Sequence, residues 1–162
     1  MLASASVVRV RAALAERGLD AEVIELAAAA RTARDAASQL GCEVAQIANS
    51  LVFRGERSGG ALLVMSSGAN RVDLSRLAGL VGEPVGKADA AFVREQSGFA
   101  IGGVAPVGHV GAMRVLIDRD LLQYGVIWAA AGHPHTVFRL TPDEPVRLTG
   151  GAVVDVVAKQ VA

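Results

Sequence analysis

Residues 48–66, ANSLVFRGERSGGALLVMS, contain two apolar runs separated by the polar connection GERSGG. Runs of this length, bounded by glycine and charged residues, are typical of paired β-strands. The segment therefore predicts a β-hairpin with strands at residues 48–54 and 61–66. A polar pair, Asn49 and Ser50, interrupts the first run, so it is a candidate functional feature within a strand.

Helix and strand signals extend on both sides of this hairpin. Four segments follow a residue that can cap a helix, and each is closed by glycine, as is typical of short helices. They are residues 7–17 after Ser6, 33–40 after Thr32, 74–81 after Asp73 and 90–97 after Asp89. Apolar runs predict further strands at residues 21–26, 84–87, 113–118, 126–130, 136–140 and 152–157.

The order of these elements indicates the fold class. A single helical turn at residues 121–124 and a short last helix starting near Pro142 complete the predicted set. Helices precede, interrupt and follow the strands without strict alternation, which favours an α+β fold with a mixed sheet over a doubly wound fold. At 162 residues the chain is most simply one domain, residues 1–162.

Composition and charge limit the classes of function. Apolar residues make up 52% and charged residues 20%, which indicates a globular chain. Basic and acidic residues are equal at 16 each, whereas a protein that wraps nucleic acid usually has a basic excess. Any RNA contact is therefore expected to be small and local, with no DNA partner. No stretch approaches the roughly 20 apolar residues of a membrane span, so we expect a cytoplasmic protein without a membrane partner.

The segment 98–108, GFAIGGVAPVG, is the strongest candidate for a functional loop. Four of its eleven residues are glycine, and Pro106 follows the pair Gly102 and Gly103. Glycine lets a backbone approach a ligand closely, and proline fixes the chain, so this loop suits a site built from main-chain groups. The spacing is not that of a dinucleotide-binding loop, and a tight turn needed only for packing is the alternative.

Five segments in one order resemble a known family. They are QIANSLVFR (46–54), SSGANRVDLSRLAGLVG (66–82), GFAIGGVAPVG (98–108), VLIDRDLL (115–122) and WAAAGHPHTVFRL (128–140). From about residue 32 to 156 the chain resembles the YbaK-like aminoacyl-tRNA deacylases, which are related to the editing domain inserted in bacterial prolyl-tRNA synthetases. The resemblance implies a curved, barrel-like mixed β-sheet with surrounding helices, no cofactor, and the acceptor end of aminoacyl-tRNA as partner. An aminoacyl-tRNA synthetase is a further partner that it suggests.

The resemblance also implies roles for individual residues. In the family the glycine-rich loop lies over the acyl-adenosine end of tRNA, which makes Gly102, Gly103 and Pro106 candidate catalytic positions. Candidate substrate-binding positions are Ser50, Arg71, Gly108, Gly132 and His133. The family usually has lysine where this chain has Asn49, our fourth catalytic candidate.

Asn49 leaves two hypotheses open. Asparagine cannot act as a base at neutral pH, although it can donate a hydrogen bond to a carbonyl. Either the chain hydrolyses mischarged aminoacyl-tRNA with backbone groups and the substrate 2′-hydroxyl, or it binds acyl-tRNA and has lost turnover. Hydrolysis of small acyl esters without RNA is a third, weaker hypothesis. An Ala-, Val- and Gly-lined pocket favours a small amino acid.

Other reactive side chains have ordinary structural interpretations. Ser50 and Cys42 could be nucleophiles. No Gly-x-Ser-x-Gly pattern surrounds the serine, however, and a lone cysteine is more simply a structural residue of the protein interior. His133 and His135 have the spacing that places alternate strand residues on one face, yet a metal site needs a third ligand, so we expect no metal. Asp73 and Asp118 are most simply helix caps.

Overall fold

The computed structural model describes residues 2–157, in which five helices surround a mixed sheet of eight strands. The helices are α1 (Ala5–Glu16), α2 (Ala33–Leu40), α3 (Leu74–Val81), α4 (Ala90–Ser97) and α5 (Glu144–Thr149). The strands are β1 (Val23–Glu25), β2 (Ile47–Gly55), β3 (Ala61–Ser67), β4 (Val85–Lys87), β5 (Arg114–Asp118), β6 (Ile127–Ala130), β7 (Thr136–Leu140) and β8 (Ala152–Val154). The predicted α+β class is confirmed.

Local signals fixed most helix ends. Thr32, Asp73 and Asp89 each accept a hydrogen bond from a backbone N–H in the first turn of the helix that follows, as predicted. The first helix is a correction, because its cap is Ser4 rather than Ser6, and the hydroxyl of Ser4 accepts from Val7 N at 3.3 Å. The last helix is capped at Asp143, after Pro142.

The hairpin of β2 and β3 lies in the middle of the sheet. The sheet order is β1-β7-β6-β2-β3-β5-β8, with β4 paired to β2 outside this path. β2 and β3 pair antiparallel without a bulge from Ala48↔Ser67 to Arg54↔Ala61. β3 then pairs parallel with β5, and β2 pairs parallel with β6, so both directions occur in one sheet.

The largest hydrophobic cluster packs α1 and the glycine-rich segment against the strands. Val7 and Val10 of α1 are fully buried with Leu63, Met65 and Phe99. Burial of each such side chain contributes about 1.5–3 kcal/mol relative to exposure. A second cluster packs Leu77 of α3 against Phe53 of β2 and Val64 of β3. A third cluster packs α2 against Ile47 of β2. The glycine-rich segment therefore contributes Phe99 and residues 103–107 to the core, while residues 100–102 are exposed.

Two smaller elements differ from the sequence expectation. The helical turn predicted at residues 121–124 is a 3-10 helix over Arg119–Gln123, capped by Asp118. The strand predicted at residues 152–157 covers only Ala152–Val154. In residues 2–157 no helix has the length and apolar character needed to cross a membrane.

Candidate functional site

Strand β2 is paired fully on one edge and only at its two ends on the other. On the second edge Ile47 and Ala48 pair with β6, and residues 53–55 pair with β4. Residues 49–52 lie between these two partners and have no strand partner on that edge within residues 2–157. We call residues 49–52 the interrupted edge.

The hydrogen bonds at the ends of β2 show which peptide groups point to the interrupted edge. Ile47 O accepts from Gly68 N, and Gly55 N donates to Gly60 O, both on the side of β3. Successive residues of a strand direct their peptide groups to alternate edges. Ser50 therefore directs its N–H and its carbonyl to the interrupted edge, and Val52 directs its N–H there, whereas the Val52 carbonyl faces the ladder with β4.

The hydroxyl of Ser50 is also unpaired. Its Oγ is a buried side-chain polar atom without a hydrogen-bond partner in the described part of the chain. Buried polar atoms normally have a protein or water partner. A polar ligand that approached this edge would meet main-chain N–H donors, the Ser50 carbonyl and the unpaired Ser50 hydroxyl together.

Asn49 and Ser50 lie on opposite faces of β2. Side chains alternate between faces along a strand, so Ser50 shares its face with Ala48. Ala48 packs in the cluster that contains Val104 and Ala105 of the glycine-rich segment. Asn49 shares the other face with Ile47, which packs against α2. The hydroxyl of Ser50, and not the amide of Asn49, is therefore on the face that carries the loop.

The centre of the glycine-rich segment contacts the turn that contains His133. Gly103 N donates to Ala100 O at 3.0 Å, which closes a turn in which Gly102 has φ +91°. A Cβ on Gly103 would lie 3.0 Å from His133 Cα and 3.1 Å from His133 N. These distances are tighter than ordinary van der Waals contact, so the absence of a side chain at Gly103 favours this approach of two backbones. The structure therefore brings together the predicted positions Gly103 and His133.

Gly132 has a structural reason for being glycine. Its φ is +105°, and an added Cβ would lie 2.9 Å from Ser6 O in α1. The turn of residues 131–135 thus packs against α1 on one side and contacts Gly103 on the other. Its main chain fixes the distance between α1 and the loop.

Pro106 and Gly108 face a different part of the molecule. Gly108 has φ +80°, and its nearest neighbours are Arg9 O and Val10 Cα of α1. Both residues line a cavity of about 370 Å³ that Arg9, Arg17 and His109 also line. The structure does not place Pro106 and Gly108 beside the contact between Gly103 and His133.

The two histidines lie in a turn and not on a strand, contrary to the spacing argument. His133 Nδ1 accepts from His135 N at 3.1 Å, and the ring centroids are 5.4 Å apart. In residues 2–157 no group of three or more His, Cys, Asp or Glu side chains has a geometry that could hold a metal ion. His133 is half-buried.

Asp118 forms a hydrogen-bond network that the sequence did not reveal. Its carboxylate is buried and accepts from Ser67 N and Asn70 Nδ2, both at 2.9 Å. It also accepts from Asp120 N at 3.0 Å, which is the capping contact. Asn70 donates to Asp120 as well, at 2.7 Å. These contacts connect Asp118 at the end of β5 to Ser67 of β3 and to the segment that follows it.

Arg71 and Cys42 do not join the other candidates. Arg71 is exposed, and within residues 2–157 its side chain makes no hydrogen bond or ion pair. Burial raises the pKa of the Cys42 thiol, which disfavours the thiolate that a nucleophile requires. His109 was not a site candidate, but it donates from Nε2 to Ala105 O at 2.7 Å, and burial lowers its pKa.

Comparison with known proteins identifies the class. The model of the aminoacyl-tRNA editing domain matches residues 27–148, and the chain belongs to this family. A solved structure described as "a putative trans-editing enzyme for prolyl tRNA synthetase" is 48% identical, with a TM-score of 0.90 over 96% of this chain and 99% of that one. This match confirms the expected editing-domain fold with its barrel-like mixed sheet.

Two curated relatives are more distant. YwhH of Bacillus subtilis (strain 168), an uncharacterized protein, is 30% identical over 123 residues, which are 76% of this chain and 78% of YwhH. EbsC of Enterococcus faecalis (strain ATCC 700802 / V583), named a "Putative Cys-tRNA(Pro)/Cys-tRNA(Cys) deacylase", is 26% identical over 132 residues, 80% of this chain and 79% of EbsC. The predicted family resemblance is confirmed.

Proposed function

We propose that this chain is a free-standing deacylase that hydrolyses the ester of a mischarged aminoacyl-tRNA carrying a small amino acid. The observation that carries the proposal is the backbone contact between Gly103 and His133, on the face of β2 that carries the Ser50 hydroxyl. Family membership supplies the substrate class. The reaction would take place in the cytoplasm, where it would release free amino acid and tRNA.

Main-chain groups supply the chemistry in this proposal. An aminoacyl ester is already activated, so positioning and hydrogen bonds to the developing oxyanion can account for catalysis. Peptide groups of the turn closed by Gly103 orient the terminal ribose and the attacking water. The carbonyl of Ser50 accepts a hydrogen bond from the ammonium group of the amino acid. The substrate 2′-hydroxyl assists the water.

Selectivity follows from the size of the pocket. The basis for proposing a small pocket is that Ala129, Ala131 and Gly132, which precede His133 in the chain, have minimal side chains. Exclusion of one extra methylene is worth only about 1–3 kcal/mol, so such a pocket sorts amino acids by size. Asn49 lies on the opposite face of β2, where its amide can reach only a substrate that crosses the interrupted edge.

Charge limits how tRNA is held. Net charge is zero, so contact is restricted to the acceptor end, with the exposed Arg71 as a candidate phosphate contact. A synthetase that delivers the tRNA is the second proposed partner, because a neutral protein gains little from the phosphate backbone. These two partners account for editing in trans without a basic surface.

A binding module is the second candidate function, and Asn49 favours it. If turnover required a charge at this position, the chain would hold acyl-tRNA without releasing the amino acid. Asn49→Lys separates the two candidates. A large gain from a baseline near zero supports a binding module, whereas loss or no change supports a working site without lysine.

The test is release of labelled amino acid from Ala-, Ser-, Cys- and Thr-tRNA(Pro), with correctly charged Pro-tRNA(Pro) as control. Wild type and Asn49→Lys are assayed side by side. We expect wild type to deacylate at least one small mischarged amino acid faster than Pro-tRNA(Pro). Release equal to that in buffer for every substrate would contradict the deacylase proposal.

A further inference from the structure

Arg9 of α1 joins the two ends of the glycine-rich segment. Its Nε donates to Gly108 O at 2.8 Å, and its Nη2 donates to Gly98 O at 3.1 Å. The guanidinium also lies over the ring of Phe99, 4.5 Å from the centroid. One side chain therefore contacts both ends of residues 98–108 from a helix about 90 or more residues earlier in the chain.

The shape of the guanidinium suits this bridge. Its planar fork presents several N–H groups in fixed directions, and hydrogen bonds from a charged donor are stronger than neutral ones. Gly98 makes room for it, because an added Cβ would lie 2.6 Å from Arg9 Nη2. Lysine offers a point charge on a flexible stem, so it could replace one of these hydrogen bonds but not both.

The segment needs such a constraint, since glycine loses more conformational freedom on ordering than any other residue. Between the two ends bridged by Arg9, the turn closed by Gly103 contacts His133, and His109 holds Ala105 O. A shift of either end would move the peptide groups of Gly102 and Gly103. Their position relative to His133 therefore depends on the ends of the loop.

We propose that Arg9 is a positioning residue of the editing reaction. It holds the ends of residues 98–108 so that the peptide groups of Gly102 and Gly103 are placed for the substrate ester. The inference rests on the proposed deacylase function. It assigns Arg9 no contact with the substrate, in contrast to a role in binding tRNA phosphate.

Arg17 provides a matched control on the same helix. Its Nε donates to Leu148 O and its Nη1 to Ala13 O, both at 2.9 Å, and it lines the same cavity as Arg9. Arg17→Gln thus removes a guanidinium with two carbonyl contacts, none of them on the loop. Any effect of lost charge or lost α1 packing should appear in both variants.

The experiment has one readout that needs no turnover. Hydrogen exchange of the Gly103 and Val110 amides is compared among wild type, Arg9→Gln, Arg9→Lys and Arg17→Gln. Both amides are hydrogen-bonded at or beside the loop, Gly103 to Ala100 O and Val110 to Ser97 O. We expect faster exchange in Arg9→Gln, an intermediate rate in Arg9→Lys and the wild-type rate in Arg17→Gln. Unchanged exchange in Arg9→Gln would overturn the proposal.

The second readout is kinetic. We expect Arg9→Gln to lower kcat about 10- to 100-fold, since misplacement of a catalytic group by 1 Å can cost 100-fold, with KM and its salt dependence close to wild type. Full recovery in Arg9→Lys, or a loss confined to KM with weaker salt dependence, would assign Arg9 to tRNA phosphate instead. If wild type deacylates nothing, the proposed function fails, and the exchange data still decide whether Arg9 holds the loop.

Discussion

The chain has two glycine-rich connections, residues 55–60 and residues 98–108, which differ in burial and in the atoms that their glycines contact. Residues 55–60 join β2 to β3 and are mostly exposed. Their hydrogen bonds run within the connection, such as Gly59 N to Gly55 O, and to the segment before β4, such as Arg57 N to Glu83. Residues 98–108 are largely buried, and a Cβ added at Gly103 or Gly108 would meet the backbone of another part of the chain. Glycine serves chain reversal in the first connection and close backbone approach in the second. Glycine content alone therefore does not distinguish the two connections, whereas the atoms that surround each glycine do.

The largest difference in deacylation activity is expected between the variants Gly103→Ala and Gly60→Ala. Neither glycine has a positive φ, so added bulk is the main change. A Cβ at Gly103 meets the backbone of His133 at 3.0 Å, whereas a Cβ at Gly60 meets Ser58 Oγ at 3.2 Å, which can rotate away. We expect Gly103→Ala to lower deacylation roughly 100-fold and Gly60→Ala to retain activity.

Single-turnover release of amino acid measures this contrast, with urea unfolding of both variants as the control for folding. Wild-type activity in Gly103→Ala would show that the contact with His133 does not position the reacting groups. Equal losses in the two variants would show that the two connections do not differ in function.

A smaller contrast in stability is expected between Gly132→Ala and Gly59→Ala. Both glycines have positive φ, but only Gly132 has a backbone atom, Ser6 O, at 2.9 Å from an added Cβ. We expect Gly132→Ala to lower the free energy of unfolding by roughly 3–5 kcal/mol, from strain and overpacking together. Gly59→Ala should cost about 1–2 kcal/mol, from strain alone. Urea unfolding at neutral pH measures both, and equal losses would contradict this account of Gly132.

The smallest effect is expected in the pH dependence of stability. It concerns His109, which bonds to residues 98–108, and Glu83, which bonds to residues 55–60. Burial lowers the pKa of His109 below its ordinary 6.5, so the unfolded chain binds this proton more readily than the folded one. Stability should therefore fall as pH drops below about 6.5. Hydrogen bonds from Ser58 and Arg57 lower the pKa of Glu83, which anchors the hairpin connection. The stability that Glu83 contributes is therefore lost only as the pH falls below about 4.5.

Denaturant unfolding between pH 7 and pH 5 checks this prediction. His109→Gln should flatten the loss of stability in that interval, and His135→Gln serves as the control. The same slope in wild type and His109→Gln would show that another group is responsible.

Features that depend on neighbouring residues were predictable from the sequence. The caps Thr32, Asp73 and Asp89 and the glycines that close their helices are local signals, and they gave three helices nearly to the residue. Ser4 and Ser6 offered two caps only two residues apart, and the sequence alone did not distinguish them. The hairpin was predictable for the same reason, because its strands and connection are contiguous.

Features that depend on distant pairing were not predictable. The interrupted edge exists because β6 and β4, which are 80 and 38 residues from the start of β2, pair with its two ends. Arg9 has no motif around it, and its partners Gly98 and Gly108 lie 89 and 99 residues away. The sequence named Gly103 and His133 as candidates separately, and the fold supplied their contact.

The interrupted edge also has a consequence for solubility. Open strand edges invite pairing with other chains and are a common origin of aggregation. Four residues span only roughly 13 Å, shorter than the five or six residues of a typical strand, and β6 and β4 close both ends. A compact ligand can use these peptide groups, whereas a foreign strand does not fit. Under the proposed function, this short edge offers main-chain groups for recognition without charged residues to guard it.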